Sequence, residues 1–221
     1  MRTGPALSSP IGGGWETIAT LTANDGSVAH PECARLMQST VLMRDVADAI
    51  HALCLLHGRL PGLVDHALAR NAMPGCSGWL EEAVSGFALE RAVLAKLAAA
   101  VGPTPSTPGQ ADSEATILAQ RHALATLAQS DRNGCAIGAA IALILDWSAV
   151  RAVLDRAAER LGVGAAGMQL PNTSETATVV ATVAAQPGPE RAMMFGAQQV
   201  LAQHHGLWNL LEARALARNN G

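Results

Sequence analysis

The chain has 221 residues and a net charge of −3, with 49% hydrophobic, 15% charged and 3% aromatic residues and no tyrosine. It is long enough to bury a core without help from disulfides or metals, and too apolar for disorder. Scarce aromatics and the lack of any Lys/Arg cluster exclude β-sandwiches and nucleic-acid platforms, so no nucleic-acid partner is expected.

Residues 1–35 ("SSPIGGGW", "ANDGS") read as an irregular Gly/Ser/Pro-rich arm with room for one short helix. The start lacks an apolar core segment, so neither a signal nor a transit peptide is expected. The longest apolar run, Gly134 to Leu145, falls short of the roughly 20 residues a bilayer span needs. No membrane partner is expected. Cys33, Cys54, Cys76 and Cys135 form no CxxC pair. Together these features point to the cytoplasm and reduced thiols.

From residue 36 to 221 the pattern is helical and reads as a single domain. A helix over about 36–57 stops at "HGRLPG", with His57 facing the carbonyl-rich end. A short helix covers about 62–71. The next starts after Ser77 as N-cap and stops at "VGP". In "GPTPSTPGQ", Thr107 offers an N-cap with Pro108 and Gln110 behind it, opening a helix that ends near Ser130. A helix over 131–161 follows, then a capping box at Asn172 and Glu175, then a helix over about 188–218. No segment alternates with period two. The predicted fold is all-α: an antiparallel bundle of about five long helices plus one or two short ones.

Each helical residue advances about 100°, so ionisable groups that share an apolar stripe can be picked out. Glu90 and Arg91 flank the stripe Leu80, Ala83, Phe87 and Leu94. Arg121 lies within the stripe Ile117 to Leu124, with His122 at its edge. His204 is central to the stripe that runs from Met193 to Trp208. Asp146 ends a run that is apolar on every face and continues the face of Ala142 and Ala149. It is expected to be buried and bonded to Arg91, Arg121 or His204. Gly134, Gly138 and Ala142 recur every four residues, which lets one neighbouring helix approach closely. Arg151, Asp155, Arg156 and Glu159 read as a solvated end. Asp48-x-x-His51 has the spacing of a metal-bundle motif but lies opposite the stripe Val46, Ala49, Ile50 and Leu53. A solvated face, with Arg44 pairing Asp48, is the expectation unless that helix is packed on two sides.

Three functional readings stay open. In the first, a small-molecule enzyme or binding protein carries a carboxylate/histidine site between helices. Glu90, Asp146 and His204 are then its catalytic groups, His122 and, with the helix turned inward, Asp48 and His51 are metal ligands, and iron or manganese is the metal. In the second, a metal-free pocket holds an anionic metabolite on Arg91 and Arg121, with His204 orienting it and Trp208 and Phe87 as walls. The third is a non-catalytic homodimer joined through Gly134, Gly138 and the last helix.

The stretches "DVADAIHALCLLHGRLPG", "GPTPSTPGQ", "QRHALATLAQSDRNGCAIGAA" and "FGAQQVLAQHHGLWNLLEAR" together resemble an uncharacterised all-helical bacterial family, a domain of unknown function, over about residues 25–218. The resemblance implies a bacterial origin and a cytosolic location, and assigns no residue a role. In overall shape the pattern is also similar to ferritin-like, haem-oxygenase-like and thiaminase-like helical folds.

Overall fold

The computed structural model describes residues 13–71 and 73–219, and these contain helices, turns and loops but no strand. The helices are α1 Gly13–Asp25, α2 Pro31–Leu36, α3 Met43–His57, α4 Leu63–Ala69, α5 Ser77–Ala100, α6 Gln110–Ala128, α7 Cys135–Leu161, α8 Thr173–Ala184 and α9 Pro187–Asn219. A single 3-10 turn, Ser27–Ala29, links α1 to α2.

The described part of the expected arm is therefore helical, and residues 1–12 lie outside the description. Ile18 of α1 is fully buried, and α1 lies on α9 and α8. The expected 36–57 helix is interrupted. His30 opens α2 by accepting a hydrogen bond from the Glu32 N–H at 3.1 Å, and turns at 37–42 separate α2 from α3. Two caps differ from expectation. Gly109, in a left-handed conformation, precedes α6 in place of Thr107, whose hydroxyl accepts from Arg214 and Arg218 instead. Cys76, not Ser77, sits at the N-cap of α5. The Asn172–Glu175 capping box is present, with both bonds at 3.0 Å.

Helix α7 is the axis of the fold. Eighteen of its residues are buried, and its most extensive packing is against α9. The two backbones nearly touch. A methyl group at Gly138 would overlap the Met193 carbonyl oxygen, and one at Gly196 would overlap that of Cys135. The small-residue spacing thus serves a helix of the same chain. Gly134 lies against Pro189, Gly138 against Met193, and Asp146 against His204, so α7 and α9 run parallel within the bundle. Helix α3 runs antiparallel to α9: His57 meets His204 while Asp48 meets Arg214. Helices α5 and α6 flank α3.

By length and composition, α7 alone among the described helices could cross a bilayer, and 78% of its most apolar window is buried inside the fold.

Candidate functional site

Two places concentrate polar chemistry. The first is a hydrogen-bonded chain through the core. Asp146 is buried, as its register predicted. Its Oδ1 accepts the Ser27 backbone N–H at 2.6 Å, and its Oδ2 accepts the Ser27 hydroxyl at 2.5 Å. The His204 ring donates Nδ1–H to the same Oδ2 at 2.6 Å. Burial raises the Asp146 pKa, but the His204 hydrogen bond and charge together with the two Ser27 donors outweigh it and hold the carboxyl below its ordinary value. An ionised carboxylate only accepts, which places the proton on Nδ1 of His204. The Trp208 indole N–H donates to the Ser27 hydroxyl at 2.7 Å, so the serine is satisfied on both sides. Gly26 is obligatory here, because a Cβ on it would press on Asp146 Oδ1 and the Thr22 carbonyl.

The chain continues through His204 Nε2 to His57 Nε2, 2.9 Å away. One proton lies between these two nitrogens. His57 was expected to face the carbonyl end of its helix. Its ring instead points inward, edge-on to Trp147 and Phe87. Burial, then the charges of His204 and Arg91, hold its pKa well below the usual histidine value. In the unfolded chain His57 takes up a proton near pH 6.5, while in the fold it stays neutral. The unfolded state therefore binds more protons, and stability falls as pH drops through 6.5. Urea melts should show a loss of up to about 1.4 kcal/mol per pH unit from this one group. His57→Gln should flatten that part of the profile. A wild-type profile already flat from pH 7.5 to 5.5 would mean that His57 titrates equally in both states.

Glu90, placed by the sequence on the flank of a stripe, is fully buried, and its partners lie on α7. It accepts the Trp147 indole N–H at 2.9 Å and the Arg151 Nη1 at 2.7 Å. Arg151, expected in a solvated end, is buried. It also binds Asp155 at 2.8 Å and the Ala166 carbonyl, which ties down the loop before α8. Arg91 is buried and pairs with Asp65, and its guanidinium stands over Phe87 at 5.1 Å. His122 is exposed and Trp208 is buried in the core.

Asp48, expected on a solvated face, is also placed differently. It is buried at 3% exposure because α3 packs on two sides. Arg214 grips both its oxygens at 2.8 Å, and Arg218 adds a contact at 2.6 Å. Arg44 bonds Asn219 instead. His51 is half-buried, its Nε2 2.8 Å from the Gly102 carbonyl.

These groups do not make a metal centre. Among the described residues no three His, Cys, Asp or Glu side chains meet in a geometry that could hold an ion. The Asp146 and Glu90 oxygens already accept from Ser27, His204, Trp147 and Arg151. The four cysteines are free. Burial, helped by the Asp146 and Glu32 charges, pushes the Cys33 thiol up to about 12, and burial alone raises Cys54 and Cys76.

The second place is an open cleft of about 450 Å³ between α3 and α6, with Arg214 in its lining beside Asp48 and Gln110. Its size suits a small molecule. Ala52, Leu55 and Ile117 form an apolar floor, and His51, Arg59, Glu114 and Arg121 supply polar groups. Arg121 is half-buried. Among the described residues its one hydrogen bond, Nη1 to the Leu55 carbonyl, is stretched to 3.5 Å. Among the described residues neither Arg59 nor Arg121 is in an ion pair. The sequence marked Arg121, Asp48 and His51 but not their meeting place, since a cleft between helices leaves no periodic trace.

Fold and sites together define an all-α bundle with a buried His–His–Asp–Ser chain and an amphipathic surface cleft. The chain belongs to a family of unknown function, DUF6975, whose model matches residues 22–219. No curated protein and no solved structure matches it.

Proposed function

We propose that this chain binds a small anionic metabolite in the α3–α6 cleft, without a metal. The observation that carries the reading is Arg121: a half-buried guanidinium in an apolar-floored cleft, with no carboxylate partner among the described residues and one stretched hydrogen bond. A partly desolvated cation with unused donors favours an anion that supplies the missing acceptors. Arg59, on the turn after α3, adds a second cation to the same wall.

Under this reading Arg91 is not a ligand-binding residue, because Asp65 already neutralises it. Glu90, Asp146 and His204 then hold the helices in register, and Trp208 anchors Ser27 instead of walling a pocket.

The test is a thermal-shift screen of inorganic phosphate, sulfate and anionic metabolites, with calorimetry on the hits. Arg121→Ala should weaken a hit roughly 10- to 100-fold, the usual worth of a charged hydrogen bond. The unliganded variant should melt close to wild type. An unchanged affinity in Arg121→Ala would remove the reading.

A further inference from the structure

The polar groups of the cleft are not spread evenly along it. At one end, Arg121 reaches the Leu55 carbonyl and Arg59 follows one turn beyond Leu55, so two cations without ion-pair partners share that wall. At the other end, Arg214 and Asp48 neutralise each other, and Gln110 bonds both Arg214 at 2.6 Å and Glu114 at 2.5 Å. Between them the floor is Ala52, Leu55 and Ile117. Leu55 lies seven residues after Asp48 on α3. That is about 10 Å along a helix.

From this polarity we infer that the ligand is a linear molecule with a single anionic head and an aliphatic tail. Its carboxylate or phosphate head sits at Arg59 and Arg121, and its aliphatic tail of about eight carbons runs over Leu55 and Ala52 until the Arg214–Asp48 pair stops it. The inference rests on the anion-binding reading above and adds the substrate class and a length limit. Two features make the stop firm. The pair is buried, and it is tied to Thr107 and Gln110, so a longer tail has to break charge-assisted bonds to advance. Glu114, near the same end, disfavours a second anionic head there.

The experiment is calorimetry of the whole chain with inorganic phosphate and with straight-chain carboxylates from acetate to dodecanoate, on wild type, Arg121→Gln and Ala52→Leu. Affinity should rise up to about fourfold per methylene, the gain expected for burying each one. It should level or fall beyond about eight carbons. Arg121→Gln should weaken every member. Ala52→Leu, which fills the mid-floor, should shorten the optimum by two or more carbons and leave acetate unchanged. If that variant does not fold, the wild-type length series still decides.

Acetate or phosphate binding as tightly as octanoate, with Arg121 dependence, overturns the tail while leaving anion binding intact. A rise that continues to dodecanoate and ignores Arg121 means unspecific surfactant binding and overturns the inference. No binding by any member, phosphate included, overturns both.

Discussion

Replacing Asp146 with alanine should cost about 3–5 kcal/mol, the range for removing one partner of a buried charged pair. The reason lies in what the carboxylate serves. Among the described residues it is the sole acceptor for the Ser27 backbone N–H at the opening of the 3-10 turn, and it also takes the Ser27 hydroxyl and His204 Nδ1. Alanine strands all three in a site with 1% exposure. The loss is not confined to one contact, because Ser27 holds the Trp208 indole and His204 holds His57. Asp146→Asn should cost less, about 1–3 kcal/mol. Its amide oxygen can still accept the Ser27 N–H, and its NH₂ can donate to His204 Nδ1 once that nitrogen gives up its proton and the ring keeps only Nε2–H for His57. The carboxylate's pKa is depressed in the fold. Its contribution is therefore full above the ordinary value near 4 and is lost as pH falls below that. Urea melts of the three proteins at pH 7 decide: an Asp146→Ala variant as stable as wild type would mean that this carboxylate is not holding Ser27 and His204.

What the sequence made legible, and what it hid, follows one physical line. A helical stripe reports whether a side chain faces protein: Asp146 and His204 are buried as their places on stripes required, Glu90 and Arg91 on the flanks of one are buried too, and Arg121, within a stripe, is only half-buried. A stripe carries no information about the partner. Asp146 bonds Ser27, 119 residues away in a segment whose Gly, Ser and Asn content suggests irregular structure. The stripe also assumes one buried face per helix. Helix α3 breaks that assumption: Asp45, Ala47 and Asp48 are buried together with Val46, Ala49 and Ile50. Arg151 on α7 fails in the same way, its charge answered by Glu90 of α5. In both cases a charged residue looked solvated because its counter-charge came from a distant helix. The parallel course of α7 and α9 was equally hidden, since the loop and α8 between them carry the chain back, and only the spacing of Gly134, Gly138 and Ala142 hinted that some helix comes close.

The second large effect is expected at Asp48, on the face the sequence assigned to water. Glu32, Arg35, Asp45, Arg218, Asp48 and Arg214 form one chain of alternating charge across α2, α3 and α9, with successive contacts between 2.6 and 2.9 Å. Three carboxylates meet three guanidinium groups, so the cluster is neutral as a whole. Asp48→Ala leaves it with one uncompensated positive charge. Arg218 keeps Asp45 and Thr107, but Arg214 keeps only the neutral acceptors Thr107 and Gln110. The expected cost is again about 3–5 kcal/mol, against at most about 1 kcal/mol for an exposed pair. The double replacement Asp48→Leu with Arg214→Met separates charge imbalance from lost packing. It removes one charge of each sign, leaves Glu32 and Asp45 facing Arg35 and Arg218, and fills the space with apolar side chains. Buried ion pairs replaced this way often lose little stability. The double variant should therefore recover more than half of the loss of Asp48→Leu alone, a coupling that a double-mutant cycle in urea with Asp48→Leu and Arg214→Met as its single variants would read directly. Additive losses would show that neighbouring packing, not the stranded guanidinium, makes Asp48 indispensable, and a single-variant cost below about 1 kcal/mol would place its carboxylate in water after all.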